Sequence, residues 1–295
     1  MSQAAPTIGF VGLGTMGATI ASRLLEHGYR VVGYNRTRSK AEALRDHGLE
    51  PVDSPRQTAA GSDICFSMVT DSDALAAVAR GENGIIAGLK PGSVYIDMST
   101  VSPSLTETLA GEVNQAGAAM LDAPVSGSVP HARAGRLSFM VGGDPKSLES
   151  VRPVLLSFGE KITLVGTNGR GSLMKLATNL QVCVQTLAFA ESIRLAERGG
   201  IERGAAMEVL LSSVVASPML TYRAPLMVDR PEQAWFTVDL AIKDLRLIDE
   251  AAERLGLAMP SARAAADAYA LAARLGLGDQ EMASIYEVID RVPVR

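Results

Sequence analysis

Up to about residue 166 the chain alternates short apolar runs with stretches of helical period, the runs ending at Gly or Asp. This is the pattern of repeated β-α-β units: each strand of a parallel sheet needs a crossover, usually a helix, to bring the chain back to the same edge. The runs predict strands at 8–11, 31–34, 64–68, 94–97, 119–121, 138–141 and 162–164. After Gly171 the period is helical throughout, with helices expected over 173–198, 204–212, 238–255 and 261–275 and a short one near 281–290. The fold class is therefore α/β in the first half, on a parallel sheet, and all-α in the second. The glycine-rich run Gly166-Thr167-Asn168-Gly169-Arg170-Gly171 leads into a long interdomain helix, which places the domains at 1–166 and 167–295.

Composition narrows the function classes. The 295 residues suffice for two domains, and 47% hydrophobic with 20% charged residues is ordinary globular usage. A net charge of −4 gives no general attraction for nucleic acid or an anionic membrane, so neither is an expected partner and any anion must be held locally. Cys65, in an apolar run, and Cys183, in a helical pattern, have no metal-ligand spacing and read as core residues of a chain in a reducing cytosol. Lys175 and Asn179 interrupt the most apolar helix, and the start of the chain lacks a basic signal-peptide region, so a cytoplasmic protein without a membrane anchor is expected.

The first strand runs into Gly12-Leu13-Gly14-Thr15-Met16-Gly17, a G-x-G-x-x-G between an apolar strand and a helix. In that context the motif indicates a Rossmann-type dinucleotide fold. Gly12 permits the tight turn, Gly14 the close approach of backbone to pyrophosphate and Gly17 close helix packing, while amides at the helix start face the phosphates. Leu13 and Met16 belong to the same cradle. A ligand-free glycine turn would place no demand on the end of the second strand, yet that end carries a matching signal. Enzymes that use NAD present Asp or Glu there to the ribose 2′-OH. This chain presents Asn35-Arg36-Thr37. A carboxylate would repel a 2′-phosphate, whereas Arg36 can bind one bidentately and stack on adenine, with Asn35 and Thr37 adding polar contacts, so NADP is expected over NAD. Arg38 and Lys40 read equally well as phosphate ligands or as a solvated first helical turn.

Two further constellations carry chemistry. Asp122-Ala123-Pro124-Val125-Ser126-Gly127-Ser128 sets a hydroxyl and flexible amides at the carboxyl edge of the sheet, which suits a substrate carboxylate or, equally, a plain turn. Lys175 and Asn179 are i and i+4 on one face of an otherwise apolar helix. Unpaired burial of either costs several kcal/mol, so they serve a site or the lysine reaches solvent along its stem. Further on, Phe236, Leu240 and Asp244 are spaced to share one helix face with Lys243 one step round it. The alternative there is a surface ion pair between Lys243 and Asp244.

These motifs, in this order, resemble the β-hydroxyacid dehydrogenases, the family of 3-hydroxyisobutyrate dehydrogenase. The resemblance rests on G-L-G-T-M-G, N-R-T, D-A-P-V-S-G, the G-x-G-x-x-x-K-x-x-x-N at 169–179 and Lys243-Asp244-Leu245. It implies an NAD(P)-dependent interconversion of a small hydroxy acid and its aldehyde or ketone, without a metal. Lys175 is then the acid/base with Asn179 beside it, Ser126, Gly127 and Ser128 bind the carboxylate, and Thr100 lies near nicotinamide and substrate. Val69, Thr70 and Lys243 join the expected cofactor set, Phe236 and Asp244 the substrate set. Tyr95–Thr100, Ser128 and the late Leu275-Gly276-Leu277-Gly278-Asp279 look most like the glyoxylate/succinic semialdehyde reductase branch. The resemblance also implies a homodimer or homotetramer built through the helical domain. The chain departs from the family after Ser-Gly, where His131, Arg133 and Arg136 read as a solvated loop face or as a preference for a more anionic substrate. A lysine suits the task once burial and a cationic nicotinamide lower its ordinary pKa.

Overall fold

A computed structural model describes residues 5–291. The chain divides into two compact units, Met1–Lys175 and Leu176–Arg295. Among the described residues the first carries nine strands: β1 (Ile8–Val11), β2 (Val31–Tyr34), β3 (Glu50–Pro51), β4 (Ile64–Ser67), β5 (Val94–Asp97), β6 (Ala119–Asp122), β7 (Val125–Ser126), β8 (Leu137–Gly143) and β9 (Gly159–Gly166). They form one sheet in the order β3-β2-β1-β4-β5-β6-β8-β7, with β9 paired to β8. Every pair from β3 to β6 is parallel. The strands β1, β4 and β5 are buried along their whole length, which is why they read as continuous apolar runs and not as alternation.

The order reverses at β1, whose neighbours are β2 on one side and β4 on the other. The helix α1 (Thr15–Glu26) follows β1 directly. Register aligns the strand ends: Val11 stands beside Tyr34 and Ser67, Ser67 beside Asp97, and Asp97 beside Asp122. The glycine loop, Asp97 and Asp122 thus follow one another along the carboxyl edge, where open α/β sheets bind ligands. Beneath it Phe10 stacks on Phe66 at 5.9 Å, and Phe158 meets the edges of Phe66 and Phe139.

The parallel sheet gains antiparallel pairs beyond β6. β8 runs antiparallel to β6 and β7, because only the short helix Val129–Arg133 separates β7 from β8 and no full crossover fits there. β3 and β7 are two residues long and carry no period to detect in the sequence.

A long helix, α2 (Arg170–Arg198), leads into the second unit, which is otherwise built of helices and tight helical turns. It includes α3 (Val238–Arg254) and Pro260–Ala272 around a core of Cys183, Ile193, Leu245, Ile248, Tyr269 and Ile285. Two expectations change here. The helix expected over 261–275 ends at Ala272 and widens into a π turn closed by Gly276 at φ +83°. The helix expected near 281–290 is instead two 3-10 turns, Met282–Glu287 and Ile289–Arg291. The helix Pro218–Arg223 is unforeseen, although Ser217 accepts the Leu220 amide at its start and Pro218 opens it, a signal present in the sequence. Both cysteines are buried, and no described helix is long and apolar enough to cross a membrane.

Candidate active site

The glycine loop divides its labour. Gly12 is left-handed at φ +97°, and a Cβ there would lie 2.2 Å from the Met68 carbonyl oxygen. A Cβ on Gly17 would lie 2.0 Å from the Gly12 carbonyl oxygen. Gly14 differs, since a Cβ there meets nothing within 4 Å. The protein's own packing therefore demands two of the glycines, while the third faces open space where a phosphate can approach the backbone. The first turn of α1 carries no acidic residue to oppose an anion. These features fit a bound dinucleotide.

The Leu13 amide donates to Asn35 Oδ1 at 2.9 Å, and Asn35 Nδ2 donates to the Thr37 carbonyl at 3.0 Å. Asn35 thus fastens the glycine loop to the end of β2. Arg38 pairs at the surface with Glu42 and Asp53. Arg36 is exposed and enters no ion pair among the described residues. Thr37 is also exposed, and Met16 is half-buried.

A buried hydroxyl network under the next loop escaped sequence reasoning. Ser67 Oγ and Ser99 Oγ donate to Asp97 Oδ1 at 2.6 and 2.7 Å, Tyr95 Oη lies 2.7 Å from Ser67 Oγ, and Ser99 Oγ accepts the Val69 amide at 2.9 Å. Burial pushes the Asp97 carboxyl up to about 6 against the pull of these hydroxyls. The only sequence signal was an Asp closing an apolar strand. The network sets the backbone of Val69, while Thr70 is exposed and Thr100, past the end of β5, is half-buried.

At β7 Ser126 is half-buried and Gly127 adopts φ +126°. Ser128 is turned inward: its amide and hydroxyl both meet His131 Nδ1, at 3.2 and 3.0 Å. His131 is thus bound into the loop and is not part of a solvated face, whereas Arg133 and Arg136 are exposed. Asp122, three residues ahead of β7, accepts the Gly169 and Ser172 amides at 2.9 and 2.8 Å.

Lys175 and Asn179 follow one turn apart on α2, the first half-buried and the second buried. Asn179 Nδ2 donates to Asp244 Oδ2 on α3, and Lys243 Nζ stands 2.8 Å from Asp244 Oδ1. Asp244 is 1% exposed and Lys243 14%, which corrects the surface-pair alternative. Phe236 does not share a helix face with Leu240 and Asp244. Thr237 caps α3 by accepting the Leu240 amide at 3.2 Å, so Phe236 precedes the helix. Its backbone is instead held by Glu281, which accepts the Trp235 and Phe236 amides and pairs with buried Arg223, a group of contacts the sequence did not suggest. Among the described residues no cluster of His, Cys, Asp and Glu could hold a metal ion.

Comparison with known proteins bears on what this arrangement is. Residues 7–166 match the family model described as the NAD binding domain of 6-phosphogluconate dehydrogenase. Residues 169–289 match the family model described as NAD-binding of NADP-dependent 3-hydroxyisobutyrate dehydrogenase. Glyoxylate/succinic semialdehyde reductase 2 of Arabidopsis thaliana is 33% identical over 96% of this chain and 79% of its own length. The 2-hydroxy-3-oxopropionate reductase of Escherichia coli is 35% identical over 86% of this chain and 87% of its own. Among solved structures, Mycobacterium tuberculosis 3-hydroxyisobutyrate dehydrogenase with L-serine superposes with a TM-score of 0.86 at 30% identity, covering 96% of this chain and 99% of that one. A Myxococcus stipitatus imine reductase shares the fold alone, at 19% identity and a TM-score of 0.64. With its Rossmann-type sheet and helical second half, the chain belongs to the β-hydroxyacid dehydrogenase family and is a nicotinamide-dinucleotide-dependent oxidoreductase acting on the CH–OH group of hydroxy acids.

Proposed function

We propose that the protein interconverts a short carboxylated aldehyde and its hydroxy acid with NADP(H), using Lys175 as general acid/base. The substrate class comprises molecules such as glyoxylate, succinic semialdehyde, tartronate semialdehyde and the semialdehyde of 3-hydroxyisobutyrate. The observation that carries this reading is the placement of Lys175 one turn before Asn179 on α2, with the Asn179 amide fixed by a buried carboxylate. Two polar side chains on one face of an apolar helix have a cost in burial that a reaction site accounts for.

A bound nicotinamide would supply hydride to the carbonyl carbon in reduction and take it from the carbinol carbon in oxidation. Gly12, Leu13, Gly14, Met16 and Gly17 would hold the pyrophosphate side of the dinucleotide, and Val69, Thr70 and Thr100 would extend its site. Arg36, with its guanidinium uncommitted while Arg38 is paired, supports selection of a 2′-phosphate and hence of NADP. In the reducing direction Lys175 donates a proton from its ammonium to the developing alkoxide oxygen, and in the oxidising direction its amine takes the hydroxyl proton. Ser126 Oγ and the Gly127 amide hold the substrate carboxylate, with Ser128 shaping the loop from within. Asp244 orients Asn179.

We further propose a homodimer or homotetramer assembled through the second unit. There Leu195, Ile201, Val209, Val214, Val215 and Val228 are exposed on a short stretch of chain, the kind of surface that a subunit interface covers. Light scattering of the purified protein tests this, and a monomer at micromolar concentration rejects it.

The catalytic reading is tested by offering short carboxylated aldehydes to the wild-type protein and to Lys175→Ala, with NADPH and with NADH. Expected is NADPH-linked reduction by the wild type and a loss of about 10²–10⁴ in kcat for the variant, with NADPH binding retained. Turnover by Lys175→Ala at the wild-type rate would reject the role of the lysine.

A further inference from the structure

Asp122 ends β6 with its side chain fully buried. Each of its two carboxylate oxygens has one partner at the start of α2: Oδ1 accepts the Gly169 amide at 2.9 Å and Oδ2 the Ser172 amide at 2.8 Å. A helix usually takes such a cap from the residue just ahead of it. Here that residue is Gly169, which has no side chain, and the cap comes instead from a strand 50 residues before Ser172.

The surrounding backbone is cut to admit this carboxylate. A Cβ on Gly142 would stand 2.6 Å from Oδ1, and one on Gly171 would stand 2.8 Å from Oδ2 and 2.5 Å from the Asp122 carbonyl oxygen. Ser172 adds a second tie through its hydroxyl, 3.2 Å from Thr106 Oγ1. An asparagine cannot reproduce the arrangement. It offers one acceptor oxygen, so one helix amide would face an NH2 group.

Along the chain Asp122 leads to Ser126 through β7, and along α2 Ser172 leads to Lys175 within one turn. We infer that Asp122 is a positioning residue: it fastens the end of β6, just ahead of the short strand that carries the carboxylate-binding serine, to the first turn of the helix carrying the acid/base. It thereby holds proton donor and substrate anchor at a fixed separation. This rests on the role proposed above for Lys175. Misplacing a reacting group by about 1 Å costs on the order of a hundredfold in rate, so a loosened helix start acts on turnover before it acts on binding.

The test compares Asp122→Asn and Lys175→Ala in the full-length protein, using the best carboxylated aldehyde from the panel above, with NADPH affinity read separately by nucleotide fluorescence. Expected for Asp122→Asn is a fall in kcat of about tenfold to a hundredfold, with aldehyde KM and NADPH Kd within about twofold of wild type. If Lys175→Ala is inactive while Asp122→Asn keeps its kcat, or loses it only through KM, the inference fails and the acid/base reading stands. If Lys175→Ala remains active, the acid/base reading fails and the inference falls with it. Should Asp122→Asn not fold, Gly171→Ala keeps the carboxylate but forces the helix start away from it. The same loss of kcat without loss of binding is expected there, and an unchanged kcat overturns the inference.

Discussion

Asn179 and Asp244, 65 residues apart in sequence, are joined by a buried hydrogen bond from the amide to the carboxylate, and Lys243 leans on the other carboxylate oxygen. One buried carboxylate thus serves two polar groups of the helical core. Asp244→Ala leaves the buried Asn179 amide without its acceptor and removes an ion-pair partner of Lys243, and the expected destabilisation is about 3–5 kcal/mol, against about 1–3 kcal/mol for Asn179→Ala. Urea denaturation of the two variants measures this. A loss below about 1 kcal/mol for Asp244→Ala would mean that the carboxylate is not needed for the fold.

Cofactor choice is expected to rest on Arg36. Arg36→Ala should raise the Kd of NADPH by about 1–3 kcal/mol in free-energy terms and leave that of NADH almost unchanged, since only the former offers a 2′-phosphate. The same substitution at Arg38, whose guanidinium is already spent on Glu42 and Asp53, should affect the two cofactors alike. Equal weakening of both by Arg36→Ala would remove its phosphate role.

Asp97 gives the fold a pH dependence opposite to that of an ordinary salt-bridged carboxylate. Its folded-state pKa is raised from 3.8 to about 6, so the folded state holds the proton more tightly than the unfolded chain does. The stabilisation from neutral Asp97 is complete below about pH 4 and is lost as the pH climbs through about 6. Burial raises the pKa of Asp122 as well, and it adds in the same sense. Asp97→Asn, which stays neutral, should therefore flatten the fall in Tm between pH 4.5 and 7.5, an effect on the order of 1–3 kcal/mol. Parallel Tm profiles for the variant and the wild type would exclude this.

Substrate anchoring is open to a chemical test. With Ser126 and the Gly127 amide holding a carboxylate, the amide of an accepted aldehyde acid should lose most activity, and Ser126→Ala should raise KM by about tenfold for a lost charge-assisted contact. An uncharged amide reduced as fast as its acid would argue against that anchor. Neutralising the exposed Arg133 and Arg136 together should leave kcat/KM unchanged, whereas a drop confined to doubly anionic substrates would bring them into the site.

Much of this molecule is legible in its sequence because period and punctuation report local physics. The apolar runs at Ile8–Val11 and Val94–Asp97 lie buried on both faces and announce themselves, and the glycine loop follows the first of them as the fold requires. Contacts that close over long separations are silent by contrast. Nothing near Asp122 announces that it will cap a helix 50 residues away, and nothing near Phe236 announces that Glu281 will hold its amide. Spacing also misleads where a cap intervenes. Phe236 is in step with Leu240 and Asp244 by count, but Thr237 starts the helix after it.

The cradle formed by Gly12, Gly17 and Asn35 is closed by contacts of the protein with itself, the absent Cβ atoms letting β1, α1 and the end of β4 meet and the Asn35 amide pinning Leu13. Its shape is thus preorganised. A dinucleotide entering it has little loop entropy to overcome, so its affinity reflects the contacts it makes and not the cost of building the site. Encounter is expected to be limited by diffusion and orientation, with no slow isomerisation of the loop before binding.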